Sequence, residues 1–198
     1  MTKTFVFLAT MAFATAAFAV ETGKPAPDFT GTDINGKTVK LSDYAGKIVV
    51  IESFNSDCPF DANHYKTGAM QELQKDMAAK GVVWLLVDSV NKKNFSYRTP
   101  EQARKEFVDQ KMTANAWIDD SSGAIGHLYG METTPHMFVI DKTSALVYDG
   151  AIDDKPDTEH DPKTARNYVR EAVDDLVAGK PIEVSQTKPY GCSVKYAD

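Results

Sequence analysis

Three uninterrupted apolar runs restrict the fold of this 198-residue chain more than any other feature. They cover residues 47–54, 82–87 and 136–140 and are rich in β-branched side chains. Such runs are typical of strands that are buried on both faces of a sheet. Helical patterns separate them, and strands that alternate with helices favour a largely parallel sheet covered on both sides. The sequence therefore predicts one α/β domain.

The first helix is predicted directly after the first apolar run. Tyr65, Met70, Leu73 and Met77 recur at spacings of three and four residues, which indicates one amphipathic helix over residues 59–79. We expect the glycine at position 81 to end it.

Capping signals mark two further helices. Thr99 and Pro100 predict a helix that runs to about Met112, because a capping residue followed by proline favours the first turn. Asp161 and Pro162 predict the start of the last helix in the same way.

Turn sequences predict two hairpins. Asp-Ile-Asn-Gly-Lys at residues 33–37 separates two short strand-like pieces, so we expect an N-terminal β-hairpin that extends the domain. Residues 141–144 form a second turn, which adds an antiparallel strand and makes the central sheet mixed.

The N-terminus has the pattern of a signal peptide. Lys3 precedes an apolar run over residues 5–18, and Ala-Phe-Ala at 17–19 is a small-x-small cleavage pattern. We expect residues 1–19 to be a signal peptide and residues 20–198 to be the exported domain, which is periplasmic or secreted. The alternative is an uncleaved anchor, but the run is shorter than the roughly 20 residues that cross a bilayer. No later segment is apolar enough to span a membrane.

Charge and cysteine content restrict the partners. The formal net charge is -6 and no block of lysine or arginine is present, so nucleic acid is not an expected partner. Cys58 and Cys192 are the two cysteines, too few for a disulfide scaffold. In an oxidising compartment they form either a structural bridge or a redox couple, and their number does not decide between these.

Cys58 is the candidate reactive group. It follows the first buried strand and precedes the first helix, where the positive end of the helix dipole stabilises a thiolate. Thr134 and Pro135 precede the third buried strand, and an X-Pro bond there is able to adopt the cis form. The order of the elements brings this loop against the start of the cysteine helix.

Four segments resemble a known family: residues 54–65, 129–141, 146–154 and the tail 190–196. They are similar to thioredoxin-like redoxins of the alkyl hydroperoxide reductase and thiol-specific antioxidant group, and the tail resembles an exported bacterial branch of it. The resemblance implies a thioredoxin fold, an active cysteine at Cys58 and a cis peptide bond before Pro135.

The resemblance also implies a function. We expect a periplasmic thiol oxidoreductase in which Cys58 attacks a small peroxide or the disulfide of a protein partner. Cys192 or an external thiol then resolves the product, and Thr134 and Pro135 shape the substrate groove. No cofactor and no metal ligand are assigned. The predicted substrate-binding residues are Asn55, Pro59, Phe60 and His136.

The chain departs from the family pattern next to the thiol. Asp61 stands where thioredoxins have their second cysteine, and Ile51 and Asn55 stand at peroxiredoxin motif positions. Asp57 and Asp61 flank Cys58, and like charge disfavours a thiolate. These departures predict weak reactivity by the standard of true peroxiredoxins.

Two alternatives remain open at this stage. The first is a non-catalytic binding or copper-delivery module, since a thiolate combined with His64 or His136 suits copper; the second cysteine of copper-delivery proteins is absent. The second alternative concerns Cys192, which is a resolving residue, a free tail thiol or half of an intermolecular bridge.

Overall fold

The computed structural model describes residues 20–197, so the predicted signal peptide lies outside the described part of the chain. Nine strands and five α-helices occur within these residues. The strands are β1 (Thr30–Thr32), β2 (Thr38–Lys40), β3 (Val49–Ser53), β4 (Val83–Asp88), β5 (Ala116–Asp119), β6 (Thr133–Thr134), β7 (His136–Ile140), β8 (Leu146–Gly150) and β9 (Cys192–Ser193). The helices are α1 (Pro59–Lys66), α2 (Ala69–Ala79), α3 (Pro100–Asp109), α4 (Ala124–Tyr129) and α5 (Tyr168–Val177).

A five-stranded mixed sheet forms the centre of the domain, in the order β5-β4-β3-β7-β8. β3 and β5 lie parallel to β4, whereas β7 is antiparallel to both β3 and β8. β1 and β2 form the separate N-terminal hairpin. The predicted mixed sheet and hairpin extension are therefore confirmed.

Both faces of the sheet are buried, which explains the uninterrupted apolar runs. Val50 and Ile51 of β3 are each fully buried, and successive strand residues point to opposite faces. On one face α2, α3 and α5 contribute to the core, and on the other α4 and the hairpin do. Burying a side chain of this size contributes about 1.5–3 kcal/mol.

The helix predicted over residues 59–79 is interrupted. α1 ends at Lys66 and α2 starts at Ala69, because Gly68 between them has φ +78°, a left-handed conformation that glycine adopts without steric cost. The predicted apolar positions are nevertheless buried in α1 and α2. The break separates the short helix that carries the cysteine from the longer one that packs on the sheet.

The prediction for the start of the last helix is wrong. α5 begins at Tyr168, and the Asn167 side chain accepts a hydrogen bond from the Arg170 amide at 2.8 Å. This contact satisfies a free N–H of the first turn. The segment around Asp161 and Pro162 forms part of the preceding loop instead. The Thr99 cap of α3 is confirmed, with a reciprocal contact to Gln102.

The C-terminal tail returns to the domain and pairs with it. β9 lies antiparallel to β6, and Gln186 forms a parallel bridge with Asp149 of β8. Asn91 donates from its backbone and its side chain to the Lys195 carbonyl. Within residues 20–197, no helix has the length and apolarity needed to cross a membrane.

Candidate active site

Cys58 lies between β3 and α1, as predicted. It is the N-cap residue of α1, and its amide donates to the Asn55 carbonyl at 2.9 Å. Its carbonyl accepts the Ala62 amide, the first bond of the helix. The side chain is 1 % exposed, so the thiol lies beneath other groups rather than at the open surface.

The loop before β7 contacts the thiol. The Thr134–Pro135 peptide bond is cis, as predicted, and the Cys58 thiol donates to the Thr134 carbonyl at 2.9 Å. The Thr134 hydroxyl is buried and forms no hydrogen bond with another group of residues 20–197. It is therefore available to a sulfur anion.

Cys192 completes this group. In the pairing of β6 with β9, Cys192 is the direct partner of Thr134, and its thiol is the neighbouring group that most lowers the pKa of Cys58. Both cysteines are free. Gly191 precedes Cys192 with φ +145°, and a Cβ there would overlap the carbonyl oxygen of Thr134. Only glycine permits the tail to approach the loop this closely.

The two thiols have opposite pKa shifts. Burial raises the pKa of Cys58, but hydrogen bonds from the Cys192 thiol, the Thr134 side chain and the amides of Asp61 and Cys192 outweigh it, so the net pKa is lowered. Burial, followed by the hydrogen bond and charge of Cys58, raises the pKa of Cys192 to about 12. When the pair carries one negative charge, that charge lies on Cys58.

The ionisation of Asp61 is linked to that of Cys58. Asp61 is fully buried, and burial, followed by the charges of Cys58 and Glu52, raises its pKa well above the ordinary value. The shift favours the neutral carboxyl, and repulsion between the Asp61 and Cys58 charges is part of its cause. Its Oδ2 accepts the Asn55 amide at 3.1 Å, whereas its Oδ1 has no partner within the described chain.

Asp57 has a counter-charge beside it. Its carboxylate forms an ion pair with Arg98, which also contacts Glu106 at 3.1 Å. The counter-charge offsets that of Asp57. Arg98 was not among the predicted site residues, because the partners of an arginine are not visible in a linear pattern.

Two more buried carboxyls lie on the sheet. Glu52 accepts from the Trp84 indole at 2.7 Å and from the Tyr65 hydroxyl at 3.1 Å. Burial outweighs these hydrogen bonds and raises the pKa of Glu52 to about 8. Burial likewise raises the pKa of Asp88 to about 7. Glu52 lies within the first run and Asp88 directly follows the second, and neither position gave a signal of its partners.

The predicted substrate-binding residues have different environments. Pro59 is exposed and Phe60 is half-buried, with its ring 5.8 Å from that of Tyr190 in the tail. Asn55 is buried, and its side-chain oxygen accepts the Asp57 amide at 3.0 Å. Phe60 therefore contacts the tail, whereas Asn55 stabilises the loop before Cys58.

His136 does not form the copper ligand set considered as an alternative. Its Nε2 contacts Asp149 at 2.7 Å, and its Nδ1 accepts the Glu132 amide at 3.3 Å. Both ring nitrogens are thus engaged by protein groups, which leaves none for a metal shared with Cys58. His64 instead lies beside Asp153 and His160, a group that the sequence did not predict because its members come from distant segments.

Comparison with known proteins agrees with the fold described above. Solved structures that resemble the chain include an uncharacterised conserved protein from Geobacillus kaustophilus, with a TM-score of 0.80 and 26% identity over 89% of this chain and 93% of that one. A hypothetical protein from Sinorhizobium meliloti 1021 has a TM-score of 0.78 and 23% identity, over 91% and 97% of the two chains. A putative thiol:disulfide interchange protein DsbE from Chlorobium tepidum has a TM-score of 0.55 and 22% identity, over 81% and 98%.

The fold and the cysteine pair thus define a thioredoxin-like protein with thiol redox chemistry. A model of the AhpC/TSA family matches residues 22–149, and the chain belongs to this family. The thiol-disulfide oxidoreductase ResA of Bacillus thuringiensis is 30% identical over 129 residues, 65% of this chain and 68% of the relative. The prediction of a thiol-dependent oxidoreductase is confirmed at this level.

Proposed function

We propose that the protein is an exported thiol–disulfide oxidoreductase that cycles between a Cys58–Cys192 dithiol and an intramolecular disulfide. The pairing of Thr134 with Cys192 is the observation that carries this proposal, because the Cys58 thiol donates to the carbonyl of the same Thr134 and both cysteines therefore meet at one residue. The similarity to ResA supports a disulfide as the substrate.

The first step is nucleophilic attack by Cys58. Its lowered pKa favours the thiolate, which attacks one sulfur of the substrate disulfide. A bond forms between the Cys58 sulfur and that atom while the substrate S–S bond breaks, and the second substrate sulfur leaves as a thiolate that takes a proton from water. The result is a mixed disulfide on Cys58.

The second step is attack by Cys192. In the reduced pair, burial makes the largest contribution to the raised pKa of Cys192, and the hydrogen bond and the charge of Cys58 add to it. These two contributions from Cys58 are lost once Cys58 is part of a mixed disulfide. Cys192 then loses its proton more readily and attacks the Cys58 sulfur. The Cys58–Cys192 bond forms, the mixed disulfide breaks, and the remaining half of the substrate leaves as a thiol. An external dithiol returns the protein to its reduced form.

Substrate access requires a movement of the tail. The thiol is 1 % exposed, and β9 pairs with Thr134 directly beside it. A disulfide-bearing segment reaches Cys58 when it replaces β9 along the groove. Pro59 and Phe60 then contact the substrate, while Asn55 and His136 support the loops that form the groove.

A small peroxide is the second candidate substrate. A segment of 50 residues, 25% of this chain, is 38% identical to glutathione peroxidase 7 of Bos taurus and covers 26% of that relative. In this reaction the Cys58 thiolate takes one peroxide oxygen to give a sulfenic acid and an alcohol or water. The Cys192 thiol then condenses with it, which releases water and forms the same disulfide.

Export to the periplasm follows from the N-terminal pattern. Residues 1–19 have the charge, apolar run and small-x-small site of a signal peptide. Expression with these residues in a Gram-negative host, followed by mass measurement of the periplasmic fraction, tests this proposal. We expect a chain that starts at Val20; a full-length chain that stays with the membrane would contradict cleavage.

Trapping the intermediates tests the function. The wild-type protein, treated with one equivalent of a disulfide-containing peptide, should become a monomer two mass units lighter that no longer reacts with an alkylating agent. Cys192→Ser should instead accumulate a mixed disulfide on Cys58, and Cys58→Ser should remain unmodified. A wild-type protein that forms disulfide-linked dimers, or a Cys192→Ser variant that turns over as fast as wild type, would contradict intramolecular resolution.

A further inference from the structure

A group of two histidines and one aspartate lies outside the cysteine site. His64 belongs to α1, whereas Asp153 and His160 belong to the loop between β8 and α5. One ligand atom from each residue lies within 4.8 Å of the other two. The Asn63 side chain donates to the His160 carbonyl at 3.0 Å, so the loop is held against the helix at this position.

His64 provides a buried nitrogen with no assigned partner. The residue is 2 % exposed, and its Nε2 forms no hydrogen bond within the described chain. This atom lies 3.7 Å from Oδ2 of Asp153, too far for a hydrogen bond. A buried polar atom without a partner costs about 1–3 kcal/mol, and a ligand between the two residues would remove that cost.

Contacts with other residues hold Asp153 and His160 in position beside His64. Asp153 uses Oδ1 to accept from the Tyr190 hydroxyl and from the Lys155 amide, whereas its Oδ2 contacts Nε2 of His160 at 3.1 Å. The Nδ1 of His160 contacts Oδ1 of Asp157 at 3.2 Å. With the proton on Nδ1, the Nε2 lone pair of His160 faces Oδ2 of Asp153. Such outer contacts are the ones that orient metal ligands in proteins.

The distances fit a small ion. The Nε2 of His160 lies 3.1 Å from Oδ2 of Asp153, and the Nε2 of His64 lies 3.7 Å from the same oxygen. Bonds of about 2.0–2.1 Å in a tetrahedron place neighbouring ligand atoms about 3.3–3.4 Å apart. The two distances to Oδ2 of Asp153 lie on either side of that spacing, and the separation of the two histidine nitrogens is no more than 4.8 Å.

We propose that His64, Asp153 and His160 bind a zinc ion, with water as the fourth ligand. Two imidazoles and one carboxylate match the ligands of Zn²⁺, whereas Ca²⁺ and Mg²⁺ take oxygen ligands almost alone. The ion joins α1 to the loop between β8 and α5, so it fixes the loop beside the helix that carries Cys58.

A cavity next to His64 provides the route of entry. It has a volume of about 320 Å³ and opens between α2 and the segment before α5, with Glu72, Lys163 and Glu171 among its lining residues. A hydrated cation therefore reaches the imidazole without passing through the sheet.

Zinc titration of the reduced mature protein tests the proposal. Isothermal calorimetry with Zn²⁺ alone should show one ion per chain, and His160→Ala should weaken its affinity by about 100-fold or more, since loss of an outer contact alone costs 10–100-fold. Co²⁺ in place of Zn²⁺ should give visible absorption that His160→Ala loses. Zn²⁺ should raise the melting temperature of the wild-type protein but not that of His160→Ala.

Two controls separate this site from other ligands. His127→Ala changes an exposed histidine of α4 and should bind Zn²⁺ as wild type does. Cys58→Ser/Cys192→Ser removes both thiols, which themselves attract zinc, and should also retain the ion. Loss of binding in the cysteine variant, equal affinity in His160→Ala and wild type, or no saturable binding in wild type would each overturn the proposal. Asp153→Asn provides a second variant if His160→Ala does not fold.

Discussion

Cys192 lies directly opposite Thr134 in the pairing of β9 with β6, and the carbonyl of this same Thr134 accepts the Cys58 thiol at 2.9 Å. The pairing therefore fixes the position of one cysteine relative to the other through a residue that has no redox chemistry itself. A substitution that disturbs the pairing of β9 with β6, or the contact between the Cys58 thiol and the Thr134 carbonyl, should change the reactivity of both thiols.

Cys58 should be the more reactive thiol, and its reactivity should depend on Cys192. The pKa of Cys58 lies below its ordinary value of 9.0 and that of Cys192 at about 12. Iodoacetamide rates followed against pH should give a lower midpoint for Cys58 than for Cys192. Cys192→Ala removes one hydrogen-bond donor and should raise the Cys58 midpoint, while Cys58→Ala should lower that of Cys192. A Cys58 midpoint that stays the same in Cys192→Ala would contradict this.

Gly191→Ala should detach the tail from the thiol. The added Cβ would overlap the carbonyl oxygen of Thr134, so β9 has to move away. We expect faster alkylation of Cys58 and slower closure of the Cys58–Cys192 disulfide, each by at least about tenfold, the factor for about 1.4 kcal/mol.

Gly179→Ala is the matched control for the tail. Gly179 also has a positive φ, but a Cβ there meets nothing within 4 Å. Both rates should therefore match wild type, and any small cost should appear only in the melting temperature. Equal alkylation rates in Gly191→Ala and Gly179→Ala would show that β9 does not shield Cys58.

Glu52→Gln should flatten the pH dependence of stability. The folded pKa of Glu52 is about 8, raised from 4.5 by burial, so between these values the folded state holds a proton that the unfolded state has lost. This contribution is complete below about pH 4.5 and disappears as the pH rises through about 8. The free energy of unfolding should fall by about 1.4 kcal/mol per pH unit for this group.

Urea unfolding at several pH values between 5 and 8 measures that slope. The wild-type slope includes Asp88 and Asp61, whose pKa values burial also raises. Glu52→Gln should make the slope of the free energy of unfolding against pH shallower by the contribution of one proton. Glu101→Gln, at an exposed position of α3, should keep the wild-type slope. An unchanged slope in Glu52→Gln would mean that Glu52 is ionised in the fold.

Asp61→Asn should affect Cys58 only at high pH. Burial and the Cys58 charge raise the pKa of the Asp61 carboxyl well above its ordinary value and favour its neutral form, so replacing it with a neutral amide should change the local charge little near pH 7. At higher pH the wild-type carboxyl ionises beside the thiolate, and the variant lacks this repulsion. Alkylation profiles of the two proteins should coincide near neutrality and separate above it. A marked acceleration near pH 7 would show that Asp61 is ionised there.

Peroxide consumption should be weak compared with disulfide reduction. The peroxiredoxin motif positions carry Ile51, fully buried in β3, and Asn55, whose side chain already accepts the Asp57 amide. Neither presents a hydroxyl that would position a peroxide. We expect a kcat/KM for hydrogen peroxide below about 10⁴ M⁻¹s⁻¹, the lower end of typical enzymes. A value well above this, measured with the same dithiol reductant that supports insulin reduction, would reverse the order of the two substrates.

Local patterns predicted the parts of the fold that local physics determines. The buried strands, the hairpin turn before Thr38, the Thr99 cap and the position of Cys58 at the start of α1 all depend on residues close in sequence. The break at Gly68 was missed because the apolar spacing continues across it. The start of α5 was placed too early because Asp161 and Pro162 have the sequence of a cap without its geometry.

The site was predicted only in part, because its remaining contacts join distant segments. Pairing between Thr134 and Cys192 depends on two-residue strands, too short to give a periodic signal. The raised pKa of Asp61 depends on burial, and the contact of Arg98 with Asp57 spans 41 residues. Asp153 and His160 lie in an acidic loop without a periodic pattern, yet Asp153 is buried.

The C-terminal tail also determines when the redox pair is completed. Its partners, such as Asn91, Met131 and Asp149, all precede it in the chain. Contacts between such distant positions form late, because they require long loops to close. During synthesis, Cys58 therefore exists as a solitary thiol until the last residues of the chain have been made and have docked. A newly made chain would pass through a stage in which Cys58 is open to any disulfide nearby, before Cys192 is in place.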